Sequence, residues 1–142
     1  MRRVFIPLFF LVFVVSCSQT KNIKKSAVGD NSPFVIEEIS TDNTYGLSPK
    51  NPVEVGGAFN GNGPSNERKY LNMLAGPNGE KISFFRAGSC CEIKSKRAPM
   101  GYAVLDNYRV TWEGSADTVS IYINMYDRGV LKAPVGFTIR KE

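Results

Sequence analysis

The chain has 142 residues with three cysteines, no histidine and a formal charge of +5. Without histidine the commonest general base is gone, together with Ser-His and Cys-His nucleophile pairs and every histidine-containing zinc or iron site. The weak positive balance also lacks the concentrated basic face that nucleic-acid binding needs, because its clusters are confined to Lys21, Lys24, Lys25 and to Lys94, Lys96, Arg97.

Arg2 and Arg3 precede an almost unbroken apolar run from Val4 to Val15, followed by Ser16 and Cys17. A charged start, a short apolar middle and a small residue at the end make an export signal. The apolar run is well short of the roughly 20 residues that a bilayer-spanning helix requires. Residues 1–16 therefore read as a signal peptide that is removed. Val14-Val15-Ser16-Cys17 resembles a bacterial lipobox, and the resemblance implies that Cys17 is lipidated and becomes the first residue of the mature lipoprotein. Loss of Arg2 and Arg3 lowers the charge from +5 to +3. Each buried acyl methylene contributes about 0.8 kcal/mol, so two or more chains such as palmitate hold a protein on a membrane without a transmembrane helix. Ser18 stands where an aspartate retains such lipoproteins in the inner membrane, which resembles the outer-membrane sorting pattern. The absence of an acidic cluster in residues 18–25 points to the periplasmic face.

Residues 17–33 read as the lipidated cysteine and a flexible tether, polar and basic and ending in Gly29, Asp30, Asn31, Ser32 and Pro33. Residues 34–142 are then a single domain, enough chain for one core and too little for two. Phe34 to Ser40 alternates in part and predicts a first strand. Thr41 to Pro52 is extended or turning, and Val53 to Val55 is a short strand. Gly56 to Pro64 is rich in glycine, yet no Gly-Lys-Ser or Gly-Lys-Thr ends it, and a connector with left-handed glycines is expected rather than a phosphate loop. Ser65 and Asn66 can cap a short helix over about 66–75, with Tyr70, Leu71, Met73 and Leu74 on one face.

Glu80 to Ala87, Ala103 to Trp112, Thr118 to Tyr126 and Val135 to Arg140 read as strands. Between the second and third of these, residues 113–117 have the length of a hairpin loop, so the two are expected to be antiparallel neighbours. The fold class that follows is α+β, a mainly antiparallel β-sheet of five or six strands with one short helix.

Cys90 and Cys91 are adjacent. Alpha carbons about 3.8 Å apart across a trans peptide fall below the roughly 4.4–6.8 Å that disulfides usually span. With Cys17 acylated they have no other partner in the chain, and an extended segment would send their side chains to opposite faces. Two thiolates without histidine make half a zinc site, so no metal and no cofactor are expected. A second candidate surface is the polar side of the Thr118 to Tyr126 strand, where Tyr122, Asn124 and Tyr126, joined by Arg86 and Asp127, offer rings and hydrogen-bonding tips. The binding candidates are thus Arg86, Cys90, Cys91, Tyr122, Asn124, Tyr126 and Asp127, with no catalytic residue assigned.

The segments Tyr45-Gly46-Leu47-Ser48-Pro49-Lys50-Asn51-Pro52, Gly76-Pro77-Asn78-Gly79-Glu80-Lys81, Gly88-Ser89-Cys90-Cys91, Leu105-Asp106, Tyr122-Ile123-Asn124-Met125-Tyr126 and Ala133-Pro134-Val135-Gly136-Phe137 together resemble a family of small bacterial lipoproteins of uncharacterised function. Members are sometimes labelled 2-dehydro-3-deoxyphosphooctonate aldolase. That chemistry belongs to a barrel of about 250 residues with phosphate sites at its loops, which a chain of this length does not close. The expected role is a lipid-anchored envelope domain that binds an envelope protein or small ligand, or serves a structural role, without catalysis. The alternative is a small envelope enzyme working through Asp106, Asp127 or Cys91.

Overall fold

A computed structural model describes residues 33–141. The signal, Cys17 and all of the tether but Pro33 lie outside the described residues. In chain order the elements are β1 (Val53–Glu54), a 3-10 turn (Ala58–Asn60), α1 (Gly63–Asn72), β2 (Leu74–Ala75), β3 (Ile82–Lys94), β4 (Tyr102–Trp112), β5 (Val119–Asn124) and β6 (Thr138–Ile139).

The strict alternation around Ile121 and Ile123 puts β5 inside the main sheet, whose order is β1-β5-β4-β3. Both isoleucines are fully buried, and each such side chain removed from water contributes roughly 1.5–3 kcal/mol. β5 runs antiparallel to β4, with Asp106 opposite Ile123 and Val110 opposite Val119. The linker between them is the hairpin turn that its length implied. On the other flank β1 joins β5 in parallel, Val53 opposite Ile123, so the sheet is mixed. β2 and β6 form a separate antiparallel pair.

Helix α1 covers one face. Its buried residues Gly63, Glu67, Tyr70 and Leu71 fall at spacings of four, three and one, the stripe of a core-facing helix. Tyr70 and Leu71 join Val53, Val110, Ile121 and Ile123 in the core. Trp112 and Phe137 meet edge to face at 5.4 Å at one end of this core.

Several boundaries differ from expectation, among them the end of the helix, which stops at Asn72 so that Leu74 and Ala75 form β2 instead. The helix begins at Gly63 rather than near Asn66, because Pro64 is tolerated in a first turn whose N–H groups need no partner within the helix. Ser65 and Asn66 are consequently inside it, and the Asn66 amide donates to the Gly56 carbonyl at 3.0 Å instead of capping. The first predicted strand does not form: residues 34–40 contribute one parallel bridge, Ile39 with Ala133, framed by Ser40 N–H to Ala133 O at 2.8 Å and Ala133 N–H to Glu38 O at 3.0 Å. The Val135–Arg140 strand shortens to β6. The strand expected to stop at Ala87 instead continues to Lys94. In the connector before α1, Gly57 and Gly61 have φ of 102° and 73°, the left-handed conformations expected of it.

Candidate functional site

β3 is an edge strand, and two register shifts make it irregular. Arg86 pairs with Tyr108 but Gly88 with Asn107, so Ala87 is an extra residue; Cys90 pairs with Leu105 but Glu92 with Val104, so Cys91 is another. A side-chain period of two would put Arg86 and Ser89 on opposite faces, and the inserted Ala87 restores them to one. Ser89 therefore faces Asp106, and Arg86 lies beside it on the helix side of the sheet.

These residues form a closed polar cluster. Arg86 grips Asp106 with two N–H donors, Nε to Oδ2 and Nη2 to Oδ1, both at 2.7 Å. Ser89 Oγ accepts from Arg86 Nη2 at 2.6 Å and donates to Asp106 Oδ1 at 3.0 Å. The Asp106 side chain is 5% exposed and that of Arg86 46%, so the pair joins a buried carboxylate to a half-exposed arginine. Beneath them α1 inserts Glu67, fully buried. Tyr108 donates its hydroxyl to Glu67 Oε2 at 2.9 Å, while Glu67 Oε1 meets no donor.

Burial raises the Glu67 carboxyl from 4.5 to about 7, and the neighbouring Asp106 charge adds to the rise. Two carboxylates in contact resist being ionised together. A protonated Glu67 becomes a donor, and it can then hydrogen-bond to Asp106. Burial, followed by the charge of Glu67, likewise pushes the Tyr108 phenol well above its ordinary range. The cluster can hold one exchangeable proton near neutral pH behind a half-exposed arginine.

Cys90 and Cys91 sit beside this cluster, and their arrangement corrects the expectation of opposite faces. Cys91 has φ of 54°, the one positive value outside glycine among the described residues. This left-handed turn swings its side chain back, so that Cys91 Sγ and Cys90 Sγ are 2.7 Å apart. Both are free thiols, Cys91 exposed and Cys90 half-buried.

The remaining sequence candidates lie elsewhere. Tyr122 pairs with Asn107, on the face opposite Arg86. Asn124 is fully buried, and its Oδ1 accepts the N–H groups of Tyr126 and Asp127 at 2.9 and 3.2 Å. Its amide donates to Asp127 Oδ2 at 2.8 Å, so these two side chains close a turn at the end of β5. Tyr126 meets Phe59 edge to face at 6.4 Å. Of the sequence candidates Arg86 shares the bulged stretch of β3 with the two cysteines, and Asn124, Tyr126 and Asp127 form a separate group. Glu67 was missed by sequence reasoning, although it stands three residues before Tyr70 and four before Leu71, on the helix stripe that faces the core.

Beyond Asp106 the β3–β4 hairpin continues as two strands, since β5 pairs with β4 only over Asp106 to Val110. In this outer ribbon Ala103 and Leu105 are fully buried on one face, while Tyr102 and Val104 are 50% and 47% exposed on the other. The exposed row runs from Tyr102 and Val104, opposite Lys94 and Glu92, to Asp106 and Arg86. Met100 in the connecting loop is 88% exposed.

Two cavities lie apart from this site. One, of about 420 Å³, is bordered by Leu74, Glu80, Ile82 and Arg140; the other, of about 480 Å³, by Val35, Glu37 and Val130. Among the described residues no group of three or more Cys, Asp or Glu is placed to hold a metal ion, and no helix is long and apolar enough to cross a membrane. The chain matches no known family, no curated protein and no solved structure.

Proposed function

We propose that this is a lipid-anchored, non-catalytic binding domain of the cell envelope, held through Cys17 at the outer membrane and facing the periplasm. Its partner is an envelope protein met by the exposed face of the β3–β4 ribbon. The observation that carries this reading is the row formed by Tyr102, Val104 and Met100, half to nearly fully exposed, ending at the half-exposed Arg86. Aromatic and methionine side chains beside an arginine are the composition that protein interfaces favour.

The test is photo-cross-linking in intact cells with a light-activated residue replacing Tyr102 in one strain and Tyr122 in another. A discrete adduct from position 102 supports the ribbon as the docking face. An adduct from position 122 alone, or none from either, removes it. Cys17→Ala tests the anchor in the same strains, because the protein should then leave the membrane fraction.

A further inference from the structure

We propose that Cys90 and Cys91 form a redox-active vicinal dithiol, closed to a disulfide by exchange with a disulfide-bearing oxidant. The inference does not depend on the binding role proposed above. A regular strand would hold the two sulfurs on opposite faces. Here the chain adopts a left-handed conformation at a residue with a Cβ, which costs on the order of 1–2 kcal/mol. The result is a sulfur pair 2.7 Å apart on an edge strand. An unfavourable backbone state that juxtaposes two reactive groups points to use of the pair.

The thiols differ in access, which orders the steps. Cys91 is exposed and Cys90 half-buried. Burial, then the hydrogen bond and charge of Cys91, and lastly the Asp106 carboxylate push the Cys90 thiol up to about 11. Cys91, the more accessible of the two, gives up its proton on attacking one sulfur of an oxidised disulfide RSSR, forming Cys91–S–S–R and expelling one thiolate, which takes up that proton. Cys90 then gives up its proton, attacks Cys91 Sγ and expels the second thiolate. The two protein thiols are oxidised by two electrons, RSSR becomes two RSH, and an eight-membered ring closes across the trans peptide. A bond over so short a Cα separation is strained and reducible, so the pair cycles between states rather than serving as a permanent staple. Closure takes place inside the bulge from which the outer ribbon departs, and oxidation stiffens that joint.

The experiment uses the full-length protein, purified in detergent, reduced, and then exposed to oxidised glutathione. Trypsin cleaves after Arg86 and Lys94, so residues 87–94 carry both cysteines in one peptide. The expected product is that peptide lighter by two hydrogens, restored by dithiothreitol, and formed faster as pH rises. Cys90→Ser should stop at the first step and accumulate a glutathione adduct on Cys91. Reduced wild-type protein should take up one phenylarsine oxide per chain at this peptide, with release of water, and either serine variant should lose that uptake. Stable glutathione adducts on wild type without ring closure, disulfide-linked dimers through these residues, or an unmodified Cys91 in the Cys90→Ser protein would each overturn the proposal.

Discussion

The two halves of the β3–β4 hairpin are built differently from one continuous pair of strands. In the inner half β4 has a second neighbour in β5 and a helix above it, and its inward residues Tyr108 and Val110 are 4% and 0% exposed. In the outer half the third strand is gone and Val104, on that same side, is half exposed. Between the halves lie both bulges, both thiols and the Arg86–Asp106–Glu67 cluster. The transition from apolar to solvated surroundings concentrates the reactive side chains: deep enough to shift their protonation, and near enough to the edge to be reached.

The largest expected effect contrasts the halves directly. Ile123→Ala removes a fully buried side chain between β1 and β4 and should cost about 2–5 kcal/mol of unfolding free energy. Val104→Ala in the outer half should stay within about 0.5 kcal/mol. Urea denaturation of both variants measures this, and similar losses would mean that the outer ribbon belongs to the same cooperative core.

Next in size is the joint itself. Glu67 is held at about 7 in the fold against an ordinary 4.5, so the folded state binds its proton more tightly than the unfolded chain. Its contribution is full below about pH 4.5 and fades as pH rises through 7. A shift of that size corresponds to at most about 3 kcal/mol. Glu67→Gln keeps a donor toward Asp106 without the titration. It should flatten the fall in stability between pH 5 and 8, leaving the variant more stable than wild type at the alkaline end. An unchanged slope would show that the proton is not shared in this way.

The smallest effect has the opposite sign. Cys91→Gly relieves the left-handed backbone at φ 54° and should stabilise the protein by up to about 1 kcal/mol, read as a rise in the thermal midpoint. A loss of stability would assign the sulfur a packing role that outweighs the relief.

Alternation made β4 and β5 legible, because Val110, Ile121 and Ile123 repeat at the period of a half-buried sheet. The helix was legible from Tyr70 and Leu71, whereas Leu74, expected on the same helical face, lies beyond its end in β2. The continuation of β3 was not, since two inserted residues break the period at Ala87 and Cys91, and no local pattern reveals a bulge whose register is fixed by a strand about 15–20 residues later. The same insertions hid the meeting of Arg86 with Ser89 and of the two sulfurs. Glu67 was obscured for another reason: a charged residue in a short helix is ordinarily solvated, and its burial depends on Tyr108 arriving from a distant strand. The parallel β1–β5 pair is equally non-local, and Val53-Glu54 alone does not say which strand it joins.

The bridge between Ile39 and Ala133 bears on how the domain withstands mechanical load. Tension applied through the residues before Pro33 reaches this junction early, where hydrogen bonds flank Ala133 on both sides and Lys132 meets Glu38 at 2.6 Å. Lys132 O also accepts the Tyr70 hydroxyl at 2.8 Å, which ties the junction to the helix and spreads the force into the core. A domain tugged from its leading end would therefore give way by shearing a clasp made with its closing segment, and the sheet itself would be the later casualty.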